Sequence, residues 1–518
     1  MIELLTPNEM QLADRLTIDS GIDGYALMQR AGEAVSQTIV AQWPDTKIVA
    51  VLCGTGSNGG DGYITARLLK VAGYQVTCFT AGRSAPQSYS ERAQRDYVAD
   101  EGVIMPLETF KADEFQLIID ALLGTGLTRN VEGKIAACID EVNSCNKPVC
   151  AIDLPSGVSG KSGQPMGIAV KADLTVTFFR KKPGHVLQPG RALCGVIRLC
   201  DIGIEAEVLE QIKPILFESW PNLWGALLPD HNPDSNKFRR GHVAVFCGNV
   251  WSTGAARLSA TGAARSGAGL VTVVAPENAL TVLASHLTSI MIEPLGNDTE
   301  KLDTDVLSFF KRRKVKAAVL GPGFGDQERA KRLVYTVLQS KTEDSDLKTL
   351  VLDADAITAF KDHPLVLFAA IEKSGLQLVI TPHEGEFQRL FGNFVKGKDK
   401  VEQAREAARL SHSIVIYKGA DTVIAAPDGR AVINGNGNVL LATAGSGDVL
   451  TGIIASFCAQ GMPVFAAACA AVWMHAETAE CFEELSPAGM MAEDISQMLL
   501  KVWARLREMA TPSPSPST

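Results

Sequence analysis

The sequence of 518 residues has eleven cysteines, and no two of them form a C-x-x-C pair. The lack of such pairs argues against a zinc cluster, and the odd number argues against a complete disulfide framework. Several cysteines lie in apolar, strand-like runs, where a thiol behaves as a small hydrophobic group. This cysteine usage predicts a reducing, cytoplasmic environment.

The sequence also lacks an excess of basic charge, a signal peptide and an apolar run of transmembrane length. The formal net charge of -9 argues against general nucleic-acid binding. The N-terminus has neither a basic segment nor a long apolar core, so we expect no signal peptide. No uncharged apolar run reaches transmembrane length, which predicts that the chain does not enter a membrane. With 46% hydrophobic and 21% charged residues, the composition is that of a soluble globular protein whose 518 residues exceed a single core.

In the first part of the chain, short apolar runs alternate with helical patterns. Two helices are expected between residues 8 and 43, and later helices at 63–72, 88–99 and 134–143. Strands are expected at 48–53, 75–80, 117–120 and 149–153. This alternation predicts a parallel sheet covered by helices on both faces, with ligands at the carboxyl ends of the strands.

A second alternating series begins after a linker that we place at residues 213–230. Strands are expected at 243–248, 269–274, 317–320, 350–355, 378–383 and 414–419, and a helix rich in small residues at 253–266. We therefore predict two α/β domains, residues 1–220 and 221–510. The Pro- and Ser-rich residues 511–518 are expected to form a disordered tail.

Residues 54–59 match the G-x-G-x-x-G pattern between a predicted strand and a predicted helix, which is typical of a dinucleotide fold. The next strand is followed by Arg83 and by no acid that could bind a ribose. Arg83 could face a 2′-phosphate or be a solvated loop residue. The glycine-rich loop also continues to residue 62, which an ordinary Rossmann turn does not need. These features disfavour a hydride-transfer domain.

Polar residues follow several strands of the first series. Asn58, Asp120 and Ser156 could together hold a hard, weakly charged cation, although all three residue types are also common in turns. Asp153 precedes a Pro-Ser-Gly turn and is either a general acid or base, or the start of an Asx-turn.

In the second series, the G-S-G-D motif at residues 445–448 precedes an apolar helical run. Amide groups at such a helix N-terminus can hold an anion, and Asp448 could take a proton from a nucleophile or bind a metal. An ordinary helix start has the same pattern.

Three other features of the second series have both a functional and an ordinary interpretation. His383 could contact a ligand or be solvated. Lys418 and the turn after it could bind phosphate or ribose, or simply end a strand. Asp353 and Asp355 could bind Mg²⁺ through water or form a paired-acid turn.

Together these motifs resemble two known domain families. N-G-G-D-G at 58–62, G-T-G-L at 124–127 and D-L-P-S-G at 153–157, with Asp120, resemble the NAD(P)HX epimerase (YjeF N-terminal) domain. G-P-G at 321–323, T-P-H-E-G-E at 381–386 and G-S-G-D at 445–448, with Lys418, resemble the ADP-dependent NAD(P)HX dehydratase, which is similar to the ribokinase superfamily. In this order they resemble the bacterial bifunctional NAD(P)H-hydrate repair family.

The resemblance implies an α/β fold with two doubly wound domains, an N-terminal Rossmann-like three-layer sandwich and a C-terminal ribokinase-like domain. It implies that the first domain interconverts the R and S epimers of NADHX and NADPHX, whose nicotinamide rings are hydrated at C6. Substrate contacts are implied for Gly59, Gly60, Asp61, Gly62, Gly124, Thr125, Gly126, Leu127, Thr128, Arg129, Asn130 and the catalytic Asp153. A potassium site is implied at Asn58, Asp120 and Ser156.

For the second domain, the resemblance implies dehydration of the S epimer coupled to hydrolysis of ADP to AMP and phosphate, with Mg²⁺ accompanying ADP. Asp448 would deprotonate the C6 hydroxyl, and phosphorylation would then turn it into a good leaving group. Substrate contacts are implied for Ala255, Gly323, His383 and Asp448. Nucleotide contacts are implied for Lys418, Gly419, Ala420, Asp421, Thr422, Gly445, Ser446 and Gly447.

The expected partners are these small molecules and other copies of the chain, in a tetramer or a larger homo-oligomer. ADP is the expected nucleotide, but the residues do not exclude ATP. The route of epimerisation, by C–O cleavage or by ring opening, stays open.

Two rival functions also stay open. A small-molecule kinase would use the same G-S-G-D motif and would release a phosphorylated product, and a scaffold would bind nucleotide without turnover. One departure from the family pattern is the bulky Trp251 in the motif at 248–255, which is expected to alter this loop.

Overall fold

The computed structural model describes residues 2–230, 234–296, 301–340 and 345–510. The chain forms two compact units, the first ending at Phe217 and the second beginning at Glu218. The predicted tail, residues 511–518, lies outside the described residues. The domain limits of 1–220 and 221–510 stay a prediction.

The first unit contains a seven-stranded parallel sheet. Its strands are β1 (Ile48–Cys53), β2 (Gln75–Thr80), β3 (Val103–Pro106), β4 (Leu117–Ala121), β5 (Val149–Ile152), β6 (Leu174–Phe178) and β7 (Val196–Cys200). Its helices are α1 (Pro7–Asp19), α2 (Gly24–Gln42), α3 (Ser57–Val71), α4 (Tyr89–Ala99), α5 (Gly133–Ser144), α6 (Gly190–Cys194) and α7 (Val208–Ile212).

The strand order β3-β2-β1-β4-β5-β6-β7 reverses direction between β1 and β4, where an open α/β sheet forms its ligand crevice. Alternate residues of β1 face opposite sides of the sheet. Val49 and Val51 belong to one apolar core, whereas Ala50 and Leu52 belong to another. The sheet is therefore covered on both faces, as the alternating pattern predicts.

The prediction of a glycine-rich loop at residues 54–62 is wrong for residues 57–62, because α3 begins at Ser57 rather than at residue 63. Its glycines serve close packing within a helix. A Cβ at Gly59 would lie 2.1 Å from the carbonyl oxygen of Gly54, and one at Gly62 would lie 2.6 Å from Ala121 Cβ. Small residues at these positions allow α3 to lie directly against the ends of β1 and β4.

The second unit is built around a larger sheet. Its strands are β9 (His242–Phe246), β10 (Leu270–Pro276), β11 (Met291–Leu295), β12 (Ala317–Leu320), β13 (Thr349–Leu352), β14 (Gln377–Ile380), β15 (Ile414–Tyr417), β16 (Val423–Ala425) and β17 (Ala431–Ile433). The sheet also includes β8 (Leu216–Glu218), whose residues span the boundary between the two units. Its helices are α8 (Pro221–Trp224), α9 (Thr253–Arg265), α10 (Glu277–His286), α11 (Leu302–Arg313), α12 (Gln327–Leu338), α13 (Asp355–Thr358), α14 (Pro364–Ser374), α15 (Glu384–Phe391), α16 (Lys400–Ser411), α17 (Ser446–Ala459), α18 (Val464–Glu483) and α19 (Ala492–Ala510).

The strand order is β11-β10-β9-β12-β13-β14-β15-β16-β17-β8. The pairs from β11 to β15 are parallel, whereas β16 pairs in antiparallel fashion with both β15 and β17. The order reverses between β9 and β12, which gives this unit its own crevice. At that point a Cβ on Gly248 would lie 2.1 Å from the carbonyl oxygen of Gly323, so the loops after the two strands touch.

Several predicted boundaries are wrong in the same way. The strands expected at 350–355, 378–383 and 414–419 end earlier, at Leu352, Ile380 and Tyr417. Their last predicted residues lie in the loops that carry candidate site residues. The predicted linker also contains β8 and α8, and the sequence pattern did not predict β3, β6, β7, β11, β16 or β17.

The eleven cysteines carry free thiols, and most of them are buried. This agrees with their predicted role as small hydrophobic groups. Among the helices of the described residues, none is long and apolar enough to cross a membrane.

Candidate active sites

Asp153 follows β5 in the left-handed backbone region, with a φ of 65°. Its Oδ1 accepts hydrogen bonds from Lys182 Nζ at 2.5 Å and from Thr177 Oγ1 at 3.1 Å. Lys182 Nζ also donates to Thr177 Oγ1 at 2.9 Å. Burial would raise the pKa of Asp153, but the charge and hydrogen bond of Lys182, together with smaller effects that include the hydrogen bond from Thr177, lower it overall. The structure thus holds an ionised carboxylate at the sheet edge.

His185 contacts the backbone of both Lys182 and Asp153. Its Nδ1 accepts the backbone N–H of Lys182 at 2.9 Å, so its Nε2 carries the proton and donates to the carbonyl oxygen of Asp153 at 2.7 Å. Burial, and then the charge of Lys182, lower the pKa of His185 to about 4, although Asp153 opposes the shift. A neutral imidazole therefore anchors the strained backbone of Asp153.

Two further carboxylates, those of Asp14 and Asp61, are close enough to Lys182 for its charge to affect their pKa values. Burial raises the pKa of Asp14 to about 6, although Lys182 opposes the shift. Burial, followed by the charges of Asp153 and Asp14, raises the pKa of Asp61 well above its usual range. One ammonium cannot neutralise three carboxylates, so this site keeps Asp153 ionised while the pKa values of Asp14 and Asp61 are raised, that of Asp61 more strongly.

The three residues predicted to bind a cation converge beside this site. The fully buried Asp120 accepts hydrogen bonds from Ser156 Oγ at 2.5 Å and from the Ser156 N–H at 2.7 Å. Burial raises the pKa of Asp120 to about 6. Asn58 lies next to Gly124, and its Nδ2 is buried without a hydrogen-bond partner among the described residues.

The other predicted substrate contacts of the first unit fall into two groups. Gly59, Gly60, Asp61 and Gly62 lie in the first turns of α3. Gly124, Thr125, Gly126, Leu127, Thr128, Arg129 and Asn130 form the loop after β4, and most of this loop is exposed. The structure brings the start of this loop against α3, because a Cβ at Gly124 would lie 3.4 Å from Asn58 Cβ.

In the second unit, the predicted anion site is the start of α17. Gly445 precedes the helix in the left-handed region, with a φ of 88°, and it provides no side-chain cap. The Ser446 N–H donates to the Thr443 carbonyl oxygen at 3.4 Å, so the amides that follow it in the first turn are the ones available to an anion. The buried His475 on α18 holds this turn, because its Nε2 lies 3.0 Å from both Ser446 Oγ and the Ser446 carbonyl oxygen. Burial lowers the pKa of His475 to about 4, so the ring is neutral.

Asp448 lies in the first turn of α17, and its Oδ2 would be 3.8 Å from a Cβ on Gly445. Burial, and then the charge of Asp353, raise the pKa of Asp448 to about 7, although Lys418 opposes the shift. This value suits a group that must accept a proton near neutral pH.

Lys418 and the buried Asp353 form a partly buried ion pair beside this turn. Lys418 Nζ donates to Asp353 Oδ1 at 2.8 Å, and Thr381 Oγ1 donates to the same oxygen at 2.7 Å. A Cβ on Gly447 would lie 3.3 Å from Lys418 Nζ. Burial alone would lower the pKa of Lys418, but Asp353 outweighs it and raises the pKa overall. The lysine therefore stays cationic where a phosphate would meet the α17 amides.

Asp353 and Asp355, for which Mg²⁺ binding and a paired-acid turn were both open, bond different groups. Asp355 accepts the N–H of Gly325 at 2.8 Å, whereas Asp353 bonds Lys418 and Thr381. The backbone between them explains the separation, because Ala354 adopts a φ of 47°.

The remaining predicted contacts of the second unit are spread around the crevice. Ala255, on α9, and Gly323 touch, because a Cβ on Gly323 would lie 2.9 Å from Ala255 Cβ. His383 caps α15 by accepting the N–H of Gly385 at 3.0 Å, and its side chain is more than half exposed. Trp251 is 92% exposed in the loop before α9.

The predicted nucleotide-binding turn at 418–422 is held by its own bonds. Thr422 Oγ1 accepts the N–H of Gly419 at 3.2 Å, and Asp421 is paired with Lys400. Gly419 and Ala420 are exposed at the tip of the turn. The carboxylate of Asp421 is thus already engaged by a cation of α16.

Sequence reasoning missed five residues that the structure places at these sites, namely Asp14, Thr177, Lys182, His185 and His475. Lys182 and His185 follow β6 in a K-K-P-G-H run, a position at the sheet edge that could have singled them out. Asp14 and His475 lie inside helices, and nothing in the local sequence shows that they face a site.

The fold agrees with known protein families. The sequence model of the family described as YjeF-related protein N-terminus matches residues 24–184, and that of the family described as NAD(P)H-hydrate dehydratase matches residues 243–501. These matches confirm the predicted fold class, with a Rossmann-like N-terminal and a ribokinase-like C-terminal domain. The solved ADP/ATP-dependent NAD(P)H-hydrate dehydratase of Bacillus subtilis is 28% identical, covering 56% of this chain and 98% of its own, with a TM-score of 0.48.

Relatives match the chain from end to end. The bifunctional NAD(P)H-hydrate repair enzyme of Coxiella burnetii is 32% identical over 96% of this chain and 98% of its own length. The corresponding enzyme of Escherichia coli is 33% identical over 95% of this chain and 92% of its own length. The chain therefore belongs to the bifunctional NAD(P)H-hydrate repair enzyme family.

Proposed function

We propose that the protein repairs hydrated nicotinamide cofactors with two activities on one chain. The first unit epimerises NADHX and NADPHX, and the second dehydrates the S epimer to NADH or NADPH while hydrolysing ADP to AMP and phosphate. The observation that carries this proposal is Asp448, a carboxylate with a pKa of about 7 in the uncapped first turn of α17. A base and an anion site at one place suit phosphoryl transfer to a hydroxyl.

In the dehydratase site, Asp448 removes the proton of the C6 hydroxyl as its oxygen attacks the β-phosphoryl group of ADP. The amides of residues 445–447 and the Lys418 ammonium stabilise the charge on the transferred group. The electron pair of the ring nitrogen then expels the phosphate from C6 to give an iminium ion, and loss of a proton from C5 forms the C5–C6 double bond of the dihydronicotinamide. Ala255, Gly323 and His383 are proposed to contact the substrate, and residues 418–422 to contact the nucleotide.

Magnesium would accompany ADP. Asp353 offers a second carboxylate oxygen, Oδ2, which lies 3.7 Å from the position of a Cβ on Gly447. A carboxylate oxygen facing the phosphate site fits Mg²⁺, which commonly binds one or two carboxylates together with phosphate oxygens. Bound there, the ion would neutralise phosphate charge.

In the epimerase site, Asp153 is proposed as the ionised catalytic group, and Asp14 or Asp61 as the group that holds a proton. Lys182 favours the ionised state of Asp153 over that of Asp14 or Asp61, because it donates a hydrogen bond to Asp153 directly. With one acid ionised and another protonated, the site can both remove a proton from the substrate and return one. Either route of epimerisation, by C–O cleavage or by ring opening, needs both transfers. The first turns of α3 and residues 124–130 are proposed to hold the substrate.

Potassium is proposed to bind at Asn58, Asp120 and Ser156. The site fits a monovalent cation, because it joins one buried carboxylate to neutral oxygens. Among the described residues, no group of three or more His, Cys, Asp or Glu side chains is arranged to hold a metal ion. Thermal unfolding in KCl and in choline chloride tests this site. We expect potassium to raise the Tm of the wild type and not of D120N, and an equal Tm in both salts would contradict the proposal.

The activity is proposed to take place in the cytoplasm, in keeping with eleven free thiols, and in a homo-oligomer of four or more chains. ADP is the proposed phosphoryl donor. Parallel assays with ADP and ATP, and sedimentation of the purified chain, test these points.

The decisive assay supplies (S)-NADHX with ADP and Mg²⁺ and follows NADH by its absorbance. We expect NADH, AMP and phosphate to form in equal amounts. Adding (R)-NADHX should give the same products through the first unit. A phosphorylated product that persists would favour the kinase alternative, and failure with both ADP and ATP would overturn the proposed function.

A further inference from the structure

Trp251 is the most exposed large apolar side chain among the described residues. Its side chain and backbone together are 92% exposed, whereas Trp220 is 45% exposed and Trp224 and Trp473 are buried. Tryptophan is one of the largest apolar residues and is highly buried on average in folded proteins. An indole with so few contacts contributes little to the stability of the fold and is available to a ligand.

The backbone that carries Trp251 is held in place, although its indole is not. Asn249 Oδ1 accepts the Trp251 N–H at 3.0 Å. The loop after β12 lies against both flanking residues, because a Cβ on Gly323 would be 2.9 Å from the Ser252 carbonyl oxygen and one on Gly325 would be 3.7 Å from Asn249 Nδ2. Only the two side-chain torsions of the tryptophan remain to be fixed, so contact with a ligand costs little conformational entropy.

Trp251 lies at the crevice of the second unit, in the loop after β9, where the strand order reverses toward β12. A short 3₁₀ turn runs from it directly into α9, so it precedes Ala255 by about one helical turn. Further along α9, Leu258 touches the turn before Asp448, because a Cβ on Gly445 would lie 2.6 Å from Leu258 Cδ1. A dinucleotide whose nicotinamide end lies at Asp448 can therefore extend along the start of α9 to Trp251.

The chemistry of the hydrated dinucleotide indicates which of its rings meets the indole. In a nicotinamide ring that is reduced and hydrated at C6, the carbons C4, C5 and C6 are tetrahedral, so this ring has no aromatic face. The adenine at the other end of the molecule is flat and aromatic, and such bases stack on aromatic side chains. Trp251 therefore suits the adenine of the substrate better than its nicotinamide end.

ADP also contains adenine, but its proposed site lies at another part of the sheet. Residues 418–422 follow β15, and three strands, β12, β13 and β14, separate β15 from β9. At a spacing of about 4.8 Å between neighbouring strands, the ends of β9 and β15 are about 19 Å apart. The substrate is therefore the nearer source of an adenine for Trp251.

We propose that Trp251 stacks on the adenine base of the hydrated dinucleotide in the dehydratase site. The inference rests on the proposed dehydratase function and names the residue that holds the part of the substrate remote from C6. The stack is the same in the ground state and in the transition state, so it contributes to the affinity for the substrate and not to the chemical step.

Tryptophan fluorescence of the full chain tests this contact without turnover, because (S)-NADHX is added without ADP or ATP. We expect (S)-NADHX to quench the emission of the wild type and of W220F, the control in which another exposed tryptophan of the same unit is changed. The quenching should be much weaker in W251F. Equal quenching in the wild type and W251F would overturn the proposal, whatever the outcome of the dehydration assay.

Fragments of the two nucleotides identify the ring. ADP-ribose has the adenine but no nicotinamide, and we expect it to quench the emission of Trp251, measured as the difference between the wild type and W251F. Quenching of Trp251 by nicotinamide mononucleotide and not by ADP-ribose would assign the indole to the nicotinamide end. Quenching by ADP as strong as that by ADP-ribose would assign it to the phosphoryl donor. Either of these two results would overturn the proposal.

Steady-state kinetics with saturating ADP measure the contribution of the stack. We expect W251A to raise KM for NADHX and NADPHX about tenfold, within the range for one base on an aromatic side chain, with kcat nearly unchanged. W251F should restore most of the affinity, because phenylalanine keeps an aromatic face, whereas W251L should not. All three variants should keep the Tm of the wild type, since the indole is exposed. An unchanged KM for both substrates in W251A would overturn the proposal.

Discussion

The two units place an aspartate and a lysine at the edge of a parallel sheet, yet they use the lysine differently. In the first unit, Lys182 bonds Asp153 itself, and the pKa of Asp153 is lowered. In the second unit, Lys418 bonds Asp353, and the pKa of the neighbouring Asp448 rises to about 7. The same two residue types thus produce opposite shifts.

The difference shows that the partner of the cation decides the proton state of each carboxylate. A lysine bonded directly to an acid keeps that acid ionised. A lysine that is neutralised by a second acid leaves the first one with burial and a neighbouring negative charge, and both of these favour the protonated form. The first arrangement suits a permanently charged group, and the second suits a base that must gain and lose a proton near neutral pH.

The largest effect is expected for D448N. Removing the base should lower kcat for dehydration about 10³-fold, within the range for general bases, while epimerisation of NADHX continues. The measurement compares NADH formation with the rate of epimer exchange followed by NMR. D362N, which changes an exposed acid of the same unit, should keep both activities. Dehydration by D448N at the wild-type rate would show that Asp448 is not the base of the second unit.

The next effect is expected for K182M. Without its cation the pKa of Asp153 should rise, and we expect epimerisation to fall about 10²-fold, because the ionised form becomes scarce. Breaking a buried pair should also cost about 3–5 kcal/mol of stability. Dehydration of pure (S)-NADHX should be retained.

K182R separates these two consequences, because arginine keeps the charge with a different geometry. Partial recovery of epimerisation in K182R, measured on folded protein, supports the electrostatic role. Equal activity of K182M and the wild type at all pH values would show that Lys182 does not set the state of Asp153.

The pH dependence should differ between the two activities. Asp448 must be ionised to accept a proton, so kcat/KM for dehydration should fall about tenfold per pH unit below its pKa of about 7. Asp153 has a lowered pKa and stays ionised there, so it should impose no such fall on epimerisation. Profiles of both reactions on one preparation check this contrast. A dehydration rate that stays constant between pH 7 and pH 5 would contradict it.

The smallest effect is expected for H475Q. The neutral His475 holds Ser446 at the start of α17, so its loss should disturb the anion site and lower kcat/KM for ADP about tenfold, the cost of about one ordinary hydrogen bond. H412Q changes an exposed histidine of the same unit and serves as the control. A normal ADP profile in H475Q would show that the turn is held by its backbone alone.

The sequence determined much of this protein by itself. Apolar runs predicted β1 and β2 to the residue, strand-end motifs singled out Asp153 and the residues around Asp120, and a helix-start motif singled out Asp448. Local patterns suffice there, because buried parallel strands must be apolar and their ends must carry the turns. The start of α3 was less predictable, because its glycines look like a loop while they serve close packing.

Only the tertiary structure decided which charges meet. Lys182 is 29 positions from Asp153, and Lys418 is 65 positions from Asp353, so no local pattern could pair them. Burial then fixes the proton states, because a carboxylate removed from water depends on its nearest cation. The sequence supplies the acids and their family, and the packing of distant segments decides which acid is ionised and which one can act as a base.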